Sequence, residues 1–402
     1  MRDSDVREVR FRYLAEVEKG RLARIDPSIG GSKAPYLTMD YLRGERIEPT
    51  LVVVDPDAVT ASEKSLILLW DGANAGEFLT GKHGVVASTS ALVTPIDVDA
   101  RFLFWTCKAQ EWLLQAETIG MGIPHVNGEV LANLRLSVPP SNMQSAIADY
   151  LDQKTSGLDS LVATKELVRN LLAEKRQAII TRAVTCGLDS RTAFRDSGAP
   201  WLGAIPKNWR TERAAWLFRE RDERGEPDLP LLEVSIKDGV VAREFSQERI
   251  ETTAADFNTY KIARQGDVVF NKMRMWQGAA GIAPRDGLVS PDYVVAAVTG
   301  ELSPAYVGLL IRTGAFSAEC ARRSHGIVWD RLRLYWGGFR EIQLPVPPSD
   351  IQQEIVNHVA HATARLDALA IALERTILLL KERRAALISE AVSGRLDVDR
   401  AA

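Results

Sequence analysis

The sequence is poor in the residues that mark several classes of protein. It has only three cysteines, at positions 107, 186 and 320, in 402 residues. Because they are scattered and odd in number, they argue against a disulfide framework and for a reducing compartment. No apolar run is long enough to span a bilayer, and the charged start MRDSDVREVRFRY lacks the apolar core of a signal peptide. We therefore expect a cytoplasmic protein that has no membrane partner.

The chain also lacks an excess of positive charge. The formal net charge is −3 and the isoelectric point is about 6.1, so the overall charge gives no indication of nucleic-acid binding. A basic patch on one face remains compatible with these totals, because nucleic acids are bound by local surfaces. The composition is ordinary, with 46% hydrophobic and 26% charged residues. The length predicts two to three domains with sizeable cores.

Catalytic motifs are scarce. The stretch GEFLTGKH (76–83) has the spacing of a phosphate-binding loop, but His83 replaces the Ser or Thr that would hold Mg²⁺. A strand-like GVVAS then follows where a helix is needed. His358 and His361 are one helical turn apart but have no metal-binding company, so we expect them to be solvated or partly packed. The sequence thus predicts neither a metal nor a catalytic site and weakly favours a binding role.

The strongest positive feature is an internal repeat. Residues 136–189 align without gaps with residues 344–397, and about 22 of 54 positions are identical. Both copies begin with the motif Leu-x-Val-Pro-Pro-Ser-x-x-Gln, and both end with Leu-Asp. A period of about 208 residues is too long for a solenoid. It predicts two domain-sized units, each closed by a helical segment.

The residues before each copy have the texture of short strands and turns. Residues 51–54 and 65–70 of the first half and residues 230–236 and 266–270 of the second are β-type runs bounded by Gly, Asp and Pro. The order of motifs is also repeated: 71–88 parallels 276–291, and 122–140 parallels 326–348. We therefore predict a mixed α+β fold in which a β-rich domain and a long helical region occur twice in tandem.

Each helical region has start and stop signals. Ser141-x-x-Gln144 and Ser349-x-x-Gln352 fit capping boxes, in which the Gln side chain turns back to the backbone of the Ser. Residues 155–157 predict a short break in the first copy, followed by a long helix. Gly187 and Gly394 are the expected helix stops.

The long helices carry apolar residues at 3-4-3-4 spacing, which is typical of a seam between two helices. The predicted helix-seam or partner-docking residues are Leu158, Leu161, Val168, Leu172, Arg176, Leu366, Leu369, Leu373, Leu380 and Arg384. Polar seam positions at Lys165 and Arg383 favour an antiparallel or laterally covered pair. Leucine seams are more often plain core than partner surfaces, and the charged clusters beside them suit a solvated face as well as a docking face, so both alternatives remain open.

Two stretches in the second half combine cations, amides and aromatic residues, which suits DNA contacts. The candidate DNA-binding residues there are Asn271, Lys272, Arg274, Trp276, Gln277, Arg322, Arg323, His325, Trp329, Arg331 and Arg333. The first half offers a poorer set, which comprises Lys82, His83, Ser88, Thr89, His125 and Asn127. The alternative is that these stretches are charged surface loops in which Trp276 and Trp329 are anchored in the core.

With these motifs in place, the chain resembles the specificity subunit of type I restriction–modification systems. The tandem Pro-Pro-Ser-x-x-Gln repeat carries the resemblance, together with the segments at 201–209 (WLGAIPKNW), 266–278 (GDVVFNKM with QG) and 122–128 (GIPHVNG). The first half departs from this pattern, because it lacks an equivalent of the 201–209 segment.

The resemblance implies a division into four parts. Residues 1–138 and 191–345 would be two target-recognition domains, and residues 139–190 and 346–402 would be helical regions that pack as an antiparallel coiled coil with pseudo-two-fold symmetry. Each recognition domain would bind one half of a bipartite target in double-stranded DNA. The helices would set the spacer and dock two methyltransferase subunits, and a motor–nuclease subunit would join later.

The resemblance also implies that this chain holds no cofactor. S-adenosylmethionine would be bound by the methyltransferase partner, which would modify an adenine, and ATP and Mg²⁺ by the nuclease partner. A helix of about 30 residues would span roughly 45 Å, on the order of 13 base pairs. Two alternatives from other classes remain. One is a DNA methyltransferase or nuclease whose active site is unrecognised, and the other is a scaffold that binds only protein.

Overall fold

The computed structural model describes residues 6–23, 32–189, 191–243, 257–326 and 332–396. Two compact units make up the chain: unit 1 comprises residues 1–166 and 375–402, and unit 2 comprises residues 167–374. Both limits fall inside long helices. Each unit therefore contains one β-rich domain and a segment of each long helix, whereas the predicted domain limits follow the sequence order alone.

In the described residues before the first long helix there are ten strands and three shorter helices. The strands are β1 (Arg7–Arg10), β2 (Ala15–Lys19), β3 (Lys33–Leu37), β4 (Leu51–Val53), β5 (Thr60–Ala61), β6 (Leu66–Leu69), β7 (Phe78–Thr80), β8 (Gly84–Val86), β9 (Ser90–Pro95) and β10 (Arg135–Val138). The helices are α1 (Met39–Leu42), α2 (Ala100–Ala116), α3 (Gly128–Asn133) and the long α4 (Ser141–Cys186).

The second half of the chain has a similar order, with two further strands at its start and one further helix before its last strand. Its strands are β11 (Phe194–Asp196), β12 (Ala204–Pro206), β13 (Arg210–Arg213), β14 (Phe218–Arg221), β15 (Leu232–Ser235), β16 (Gly239–Ala242), β17 (Lys261–Ala263), β18 (Val268–Asn271), β19 (Ala280–Ile282), β20 (Gly287–Val289), β21 (Tyr293–Val298) and β22 (Gln343–Val346). Its helices are α5 (Ala214–Leu217), α6 (Pro304–Leu310), α7 (Gly314–Arg322), α8 (Trp336–Phe339) and the long α9 (Ser349–Val392).

One four-stranded sheet has the same strand order in both units. The order β2-β9-β6-β7 in unit 1 corresponds to β14-β21-β18-β19 in unit 2, and every pair in these two sheets is antiparallel. In each unit an early strand of the domain also pairs with the strand that leads into the Pro-Pro motif, β1 with β10 and β13 with β22. The predicted tandem α+β architecture is confirmed, and each domain is closed next to the start of its long helix.

Equivalent residues fasten each domain to the long helices. In unit 1, Phe102 and Trp105 of α2 share a buried cluster with Ile147 and Leu151 of α4 and with Ile388 of α9. Burying one such side chain stabilises the fold by about 1.5–3 kcal/mol.

The corresponding cluster of unit 2 uses the repeat partners of these helical residues. Ile355 and Val359 of α9 pack with Ile180 and Val184 of α4 against Tyr306 of α6. The hydroxyl of Tyr306 donates to the backbone oxygen of Val184 at 2.8 Å. Each β-rich domain thus rests on the start of one long helix and the end of the other.

The glutamine that both copies of the repeat motif share does not form the predicted capping box. Gln352 Oε1 accepts from the backbone N–H of Ser303 at 2.7 Å, and its Nε2 donates to the backbone oxygens of Pro347 and Glu301. Gln144 is used in the same way, because it accepts from Asp99 N and donates to Pro139 O. Ser303 and Asp99 are the N-caps of α6 and α2, so Gln352 joins α9 to α6 and Gln144 joins α4 to α2.

The predicted break at residues 155–157 is wrong, because α4 is one helix from Ser141 to Cys186. The Thr155 hydroxyl donates to the backbone oxygen of Leu151 at 2.6 Å, which satisfies this buried polar group inside the helix. The predicted stops are confirmed. Gly187 and Gly394 have φ angles of +74° and +72°, a conformation that favours glycine and ends helices.

The predicted seam is partly wrong. Leu158, Leu172, Leu366, Leu373 and Leu380 are half-buried, but Leu161, Val168 and Leu369 are 50%, 40% and 46% exposed. The buried track instead passes through the neighbouring positions, among which Ile377 is 6% exposed. Arg383, a predicted polar seam position, is exposed, and the half-buried cation is Arg384. These leucine-rich helices carry apolar residues on more than one face. The 3-4-3-4 spacing alone therefore does not show which of two adjacent positions is buried.

Within each unit the two helix segments run antiparallel. In unit 1 the ion pairs Asp159–Arg384 and Glu166–Lys381 show that residue numbers rise along one helix as they fall along the other. In unit 2, Arg176 pairs with Asp367, and Ile180 packs with Val359. In the part of the chain that the structure describes, no helix has the length and apolar character needed to cross a membrane.

Candidate nucleic-acid interface

The candidate residues of unit 2 begin at the turn between β18 and β19, residues 272–278. Asn271 Oδ1 accepts from the backbone N–H of Met273 at 2.9 Å, which fixes the start of the turn. The indole nitrogen of Trp276 donates to Met273 O at 3.0 Å, and Gly278 ends the turn with a φ of +88°. These contacts hold the backbone, while the side chains of Arg274 and Gln277 remain exposed.

The second candidate stretch of unit 2 lies beside this turn. Backbone hydrogen bonds in both directions join His325 to Arg333, and we call the described residues at this bridge, 325–326 and 332–333, the arch of unit 2. The backbone N–H of Leu334 donates to Lys272 O at 2.9 Å, so the arch is fixed to the turn. The structure therefore brings together two stretches that are about fifty residues apart in the sequence. The candidates Trp329 and Arg331 lie outside the described residues.

Two of the predicted cations have an internal partner. Arg322 and Arg323 both donate to Glu319, whose side chain is only 5% exposed. Burial of this carboxyl opposes ionisation, but the hydrogen bonds from both arginines prevail and hold the pKa of Glu319 below its usual value. These arginines therefore serve the end of α7 at least in part, while Arg274 is the exposed cation of the turn itself.

Unit 1 contains the same pair of elements. The turn between β6 and β7, residues 70–76, ends at Gly76 with a φ of +95°. Backbone hydrogen bonds join Ile119 and His125 at the base of an arch, residues 119–125. The N–H of Val126 donates to Trp70 O at 2.9 Å, which matches the contact of Leu334 with Lys272. Gly76 thus corresponds to Gly278, and the parallel that we predicted from sequence is shifted by three residues.

A histidine that is hydrogen-bonded to an aspartate lies where the turn and arch of unit 1 meet. His125 Nδ1 is 2.7 Å from Asp71 Oδ1, and Lys19 Nζ, at the end of β2, is 2.8 Å from Asp71 Oδ2. Burial of Asp71 raises the pKa of its carboxyl, but the hydrogen bonds from Lys19 and His125 outweigh it and lower that pKa overall. The residues predicted from the sequence include His125 but neither Lys19 nor Asp71. The available signal was the acidic residue immediately after a buried strand.

The other predicted residues of unit 1 have varied positions. Thr89 lies against the turn, because its backbone oxygen accepts from both Trp70 N and Asp71 N. Ser88 is its neighbour, and its N–H donates to the hydroxyl of Tyr36. Asn127 uses its side-chain oxygen to cap α3, accepting from Glu129 N at 3.1 Å and from Val130 N. This capping role was not predicted.

Lys82 and His83 lie at the other end of the β6–β7 hairpin, after β7 has ended. The ammonium of Lys82 donates to the backbone oxygen of Tyr41 at 2.6 Å and lies 4.2 Å from the centre of its ring. Since this cation already has two favourable contacts, Lys82 stabilises the packing of α1. His83 is exposed, but the structure does not join it to the turn and arch.

The described residues contain no cluster of three or more His, Cys, Asp or Glu side chains that could hold a metal ion. His358 and His361 are both exposed on α9, as expected. The turn and the arch form the same backbone framework in both units, but the side chains on it differ. Trp70, Asp71 and His125 stand in unit 1 where Lys272, Met273 and Arg333 stand in unit 2.

Comparisons with known proteins agree with this architecture. Residues 3–168 match the family described as type I restriction modification DNA specificity domain. The chain is 32% identical over 177 residues to the type I restriction enzyme MjaVIII specificity subunit of Methanocaldococcus jannaschii. That alignment covers 44% of this chain and only 40% of the length of the relative.

Two further relatives match over most of the chain. The type I restriction enzyme EcoDI specificity subunit of Escherichia coli is 21% identical over 357 residues, which is 83% of this chain and 78% of that protein. A solved structure described as the structural basis of complex assembly and conformational transition of the type I R-M system matches with a TM-score of 0.65. That match has 14% identity and covers 98% of both chains, so it establishes the fold. The resemblance to specificity subunits that the repeat indicates is therefore confirmed.

Proposed function

We propose that the whole chain is the DNA specificity subunit of a type I restriction–modification complex, from the premise that residues 3–168 match the type I restriction modification DNA specificity domain family. Each β-rich domain recognises one half of a bipartite target in double-stranded DNA. The helices set the distance between the half-sites and dock two methyltransferase subunits. A motor–nuclease subunit joins the same complex, which acts in the cytoplasm.

The proposal rests on one observation. The turn and the arch have the same backbone contacts in both units but carry different side chains. The turn and the arch are fixed by equivalent backbone hydrogen bonds in both units, Val126 to Trp70 and Leu334 to Lys272. The side chains on this framework differ, however, with Asp71 and His125 in one unit and Arg274 and Arg333 in the other. A bipartite target with two unlike halves needs this combination, because base edges are distinguished by the donors and acceptors presented to them.

The long helices supply the spacer in this proposal. Helix α4 has 46 residues and α9 has 44, so each spans roughly 65–70 Å. Gln144 joins α4 to α2 and Gln352 joins α9 to α6, which allows helix length to determine which spacing of half-sites fits.

Exposed leucines on the helices support the docking of a protein partner. In unit 1, Leu161, Leu378 and Leu379 are 50–57% exposed, and in unit 2 Leu167 and Leu171 are 52–59% exposed. Large apolar side chains on a helix surface are typical of protein interfaces when several lie on one element. The predicted residues Leu161, Val168 and Leu369 therefore suit docking better than the helix seam.

Catalysis resides in the partners. The methyltransferase subunit binds S-adenosylmethionine and modifies an adenine that has been turned out of the duplex, and the nuclease subunit uses ATP and Mg²⁺. The His125–Asp71 pair has the arrangement of a histidine base that is oriented by a carboxylate. It has no hydroxyl or thiol nucleophile hydrogen-bonded to it among the described residues.

The proposal is tested by single-molecule methylation sequencing of host DNA with the gene intact and deleted, in cells that express the partner methyltransferase. Loss of one bipartite N6-methyladenine motif upon deletion is the expected result. An unchanged methylome with the partner present contradicts it. Binding of S-adenosylmethionine or Mg²⁺ by the isolated chain would instead favour an enzyme, and a complex with no sequence-dependent DNA protection would favour a protein-only scaffold.

A further inference from the structure

The turn and arch of unit 1 hold a histidine whose outer nitrogen is available for a ligand. His125 is fixed on one side by Asp71, at 2.7 Å from Nδ1, while its side chain remains 44% exposed. Asp71 is itself only 17% exposed and is also fixed by Lys19. The aspartate therefore belongs to the interior of the domain, and the imidazole ring connects it with the surface.

The partners of Asp71 determine which nitrogen of His125 carries the hydrogen. A carboxylate only accepts hydrogen bonds, and the contacts with Lys19 and His125 keep Asp71 ionised. Nδ1 must therefore be the donor to Asp71. In the neutral ring Nε2 is then an acceptor, directed away from the carboxylate.

We propose that Nε2 of His125 accepts a hydrogen bond from the amino group of a base in the first half-site, with Asp71 and Lys19 as positioning residues. The proposal rests on the proposed function. Adenine N6 and cytosine N4 are the amino groups that the major groove exposes. The contacted base on the recognised strand is therefore an adenine or a cytosine, and the acceptor selects it against guanine and thymine, which present only acceptors on that edge.

The backbone of the arch also fits this role. Gly120 has a φ of +117°, and a β-carbon there would lie 2.9 Å from Cδ2 and 3.3 Å from Nε2 of His125. The residue of the arch that lies beside the outer edge of the His125 ring is thus a glycine, Gly120. The absence of a side chain there leaves room for a ligand. At the equivalent position of unit 2 the bridged residue is Arg333, whose guanidinium is a donor. The two half-sites should therefore differ at this position.

The test uses the chain in complex with its methyltransferase partner and a randomised duplex library, with the selected DNA sequenced. We compare the wild-type protein with His125→Asn, Asp71→Asn and His125→Ala. Asparagine keeps a donor near Nδ1 for Asp71 but has no atom at Nε2. A merely structural role would therefore survive His125→Asn. We expect all three variants to lose selectivity, roughly three- to tenfold, at one and the same base of the first half-site, with the second half-site unchanged.

A double-mutant cycle with the DNA identifies the contact. At the base found above, adenine is replaced with purine, or cytosine with 2-pyrimidinone, which removes the amino group alone. The loss of affinity caused by this change should be absent in the His125→Ala complex, because the contact is already missing. Independent losses that multiply would overturn the inference. So would variants that relax no base of the first half-site, or a selected base other than adenine or cytosine.

These outcomes are distinct from failure of the proposed function. If the wild-type complex selects no bipartite sequence, the specificity role itself is wrong and the inference falls with it. If the wild-type complex selects a bipartite sequence and His125→Asn selects the identical one, only the inference about His125 is overturned.

Discussion

Arg176 Nε lies 2.7 Å from Oδ1 of Asp367, and these two residues occupy the same pair of repeat positions as Arg384 and Asp159, whose Nε and Oδ1 atoms are 2.8 Å apart. Each arginine of one repeat copy thus pairs with the aspartate of the other copy, once in each unit. Identical residues at 159 and 367 and at 176 and 384 are therefore explained by a reciprocal helix–helix contact. Nothing in a single copy of the repeat would require them.

The two arginines should contribute unequally to stability. Arg384 is the less exposed, at 26% against 44%, and its guanidinium lies 5.7 Å from the ring centre of Trp105. We expect Arg384→Ala to lower the free energy of unfolding by about 1–2 kcal/mol and Arg176→Ala by less than about 1 kcal/mol. Urea titration measures both. Arg383→Ala, at an exposed position beside Arg384, is the matched control, and equal effects of the three variants would contradict the explanation.

The repeat made the tandem architecture predictable, but not the residues that hold it together. Its identical positions include Gln144 and Gln352, which a local motif assigns to helix capping. In the structure their partners are backbone groups that lie some 45 to 50 residues away along the chain. Such partners leave no local trace in the sequence. In the same way, Leu369 and Ala370 are adjacent, and only packing shows that the smaller residue faces inward.

The candidate site was predictable in unit 2 and poorly so in unit 1, for a chemical reason. The turn of unit 2 contains Lys272 and Arg274, which attract attention as cations. The equivalent turn of unit 1 contains Trp70 and Asp71, and its cation, Lys19, comes from a distant strand. The local basic residues of unit 1 are Lys82 and His83, which were therefore predicted instead. Lys82, however, is already hydrogen-bonded to a backbone oxygen and lies over an aromatic ring.

The buried glutamines predict a large loss of stability upon truncation. Gln352 is 1% exposed and serves three backbone groups, so Gln352→Ala leaves buried donors and acceptors without partners. We expect a loss of about 2–3 kcal/mol in the free energy of unfolding, measured by urea titration. Gln353→Ala, in the exposed next position, should change it by less than about 0.5 kcal/mol. A small effect of Gln352→Ala would show that water replaces the lost contacts.

The turn of unit 2 predicts a change confined to one half-site. Removing the exposed side chains of Arg274 and Gln277, or that of Lys272, should relax or abolish recognition of the second half-site and leave the first unchanged. Methylation sequencing of cells that carry each alanine variant measures this directly. Arg285→Ala removes an exposed cation of the same unit outside the turn and arch, so it should have no effect on either half-site. Equal failure of both half-sites in a folded variant would argue against two separate recognition domains.

The length of the helices predicts the spacer. Deleting seven residues from α4 and the matching seven from α9 removes about two turns from each helix, roughly 10 Å, and keeps the same faces paired. The preferred spacer should shorten by about three base pairs, and both half-site sequences should stay as they are. The measurement is the methylated motif of the shortened protein. An altered half-site sequence with an unchanged spacer would exclude the helices as the determinant of spacing.

Substitution of two glycines in the unit 1 arch can distinguish the effect of backbone strain from the effect of crowding around His125. Gly120 and Gly122 have φ angles of +117° and +116°, so alanine at either position is strained to a similar extent, about 1–2 kcal/mol. A β-carbon at 120 would meet His125 and lie 2.6 Å from Ile123 O, whereas one at 122 has nothing within 4 Å. Gly120→Ala should therefore relax the first half-site at the base that depends on His125, whereas Gly122→Ala keeps the wild-type sequence. The loss of stability should be larger for Gly120→Ala, because its β-carbon also meets a backbone oxygen. Sequence selection by the two variant complexes measures this difference, and an identical effect of both substitutions would show that the fold of the arch matters and the histidine edge does not.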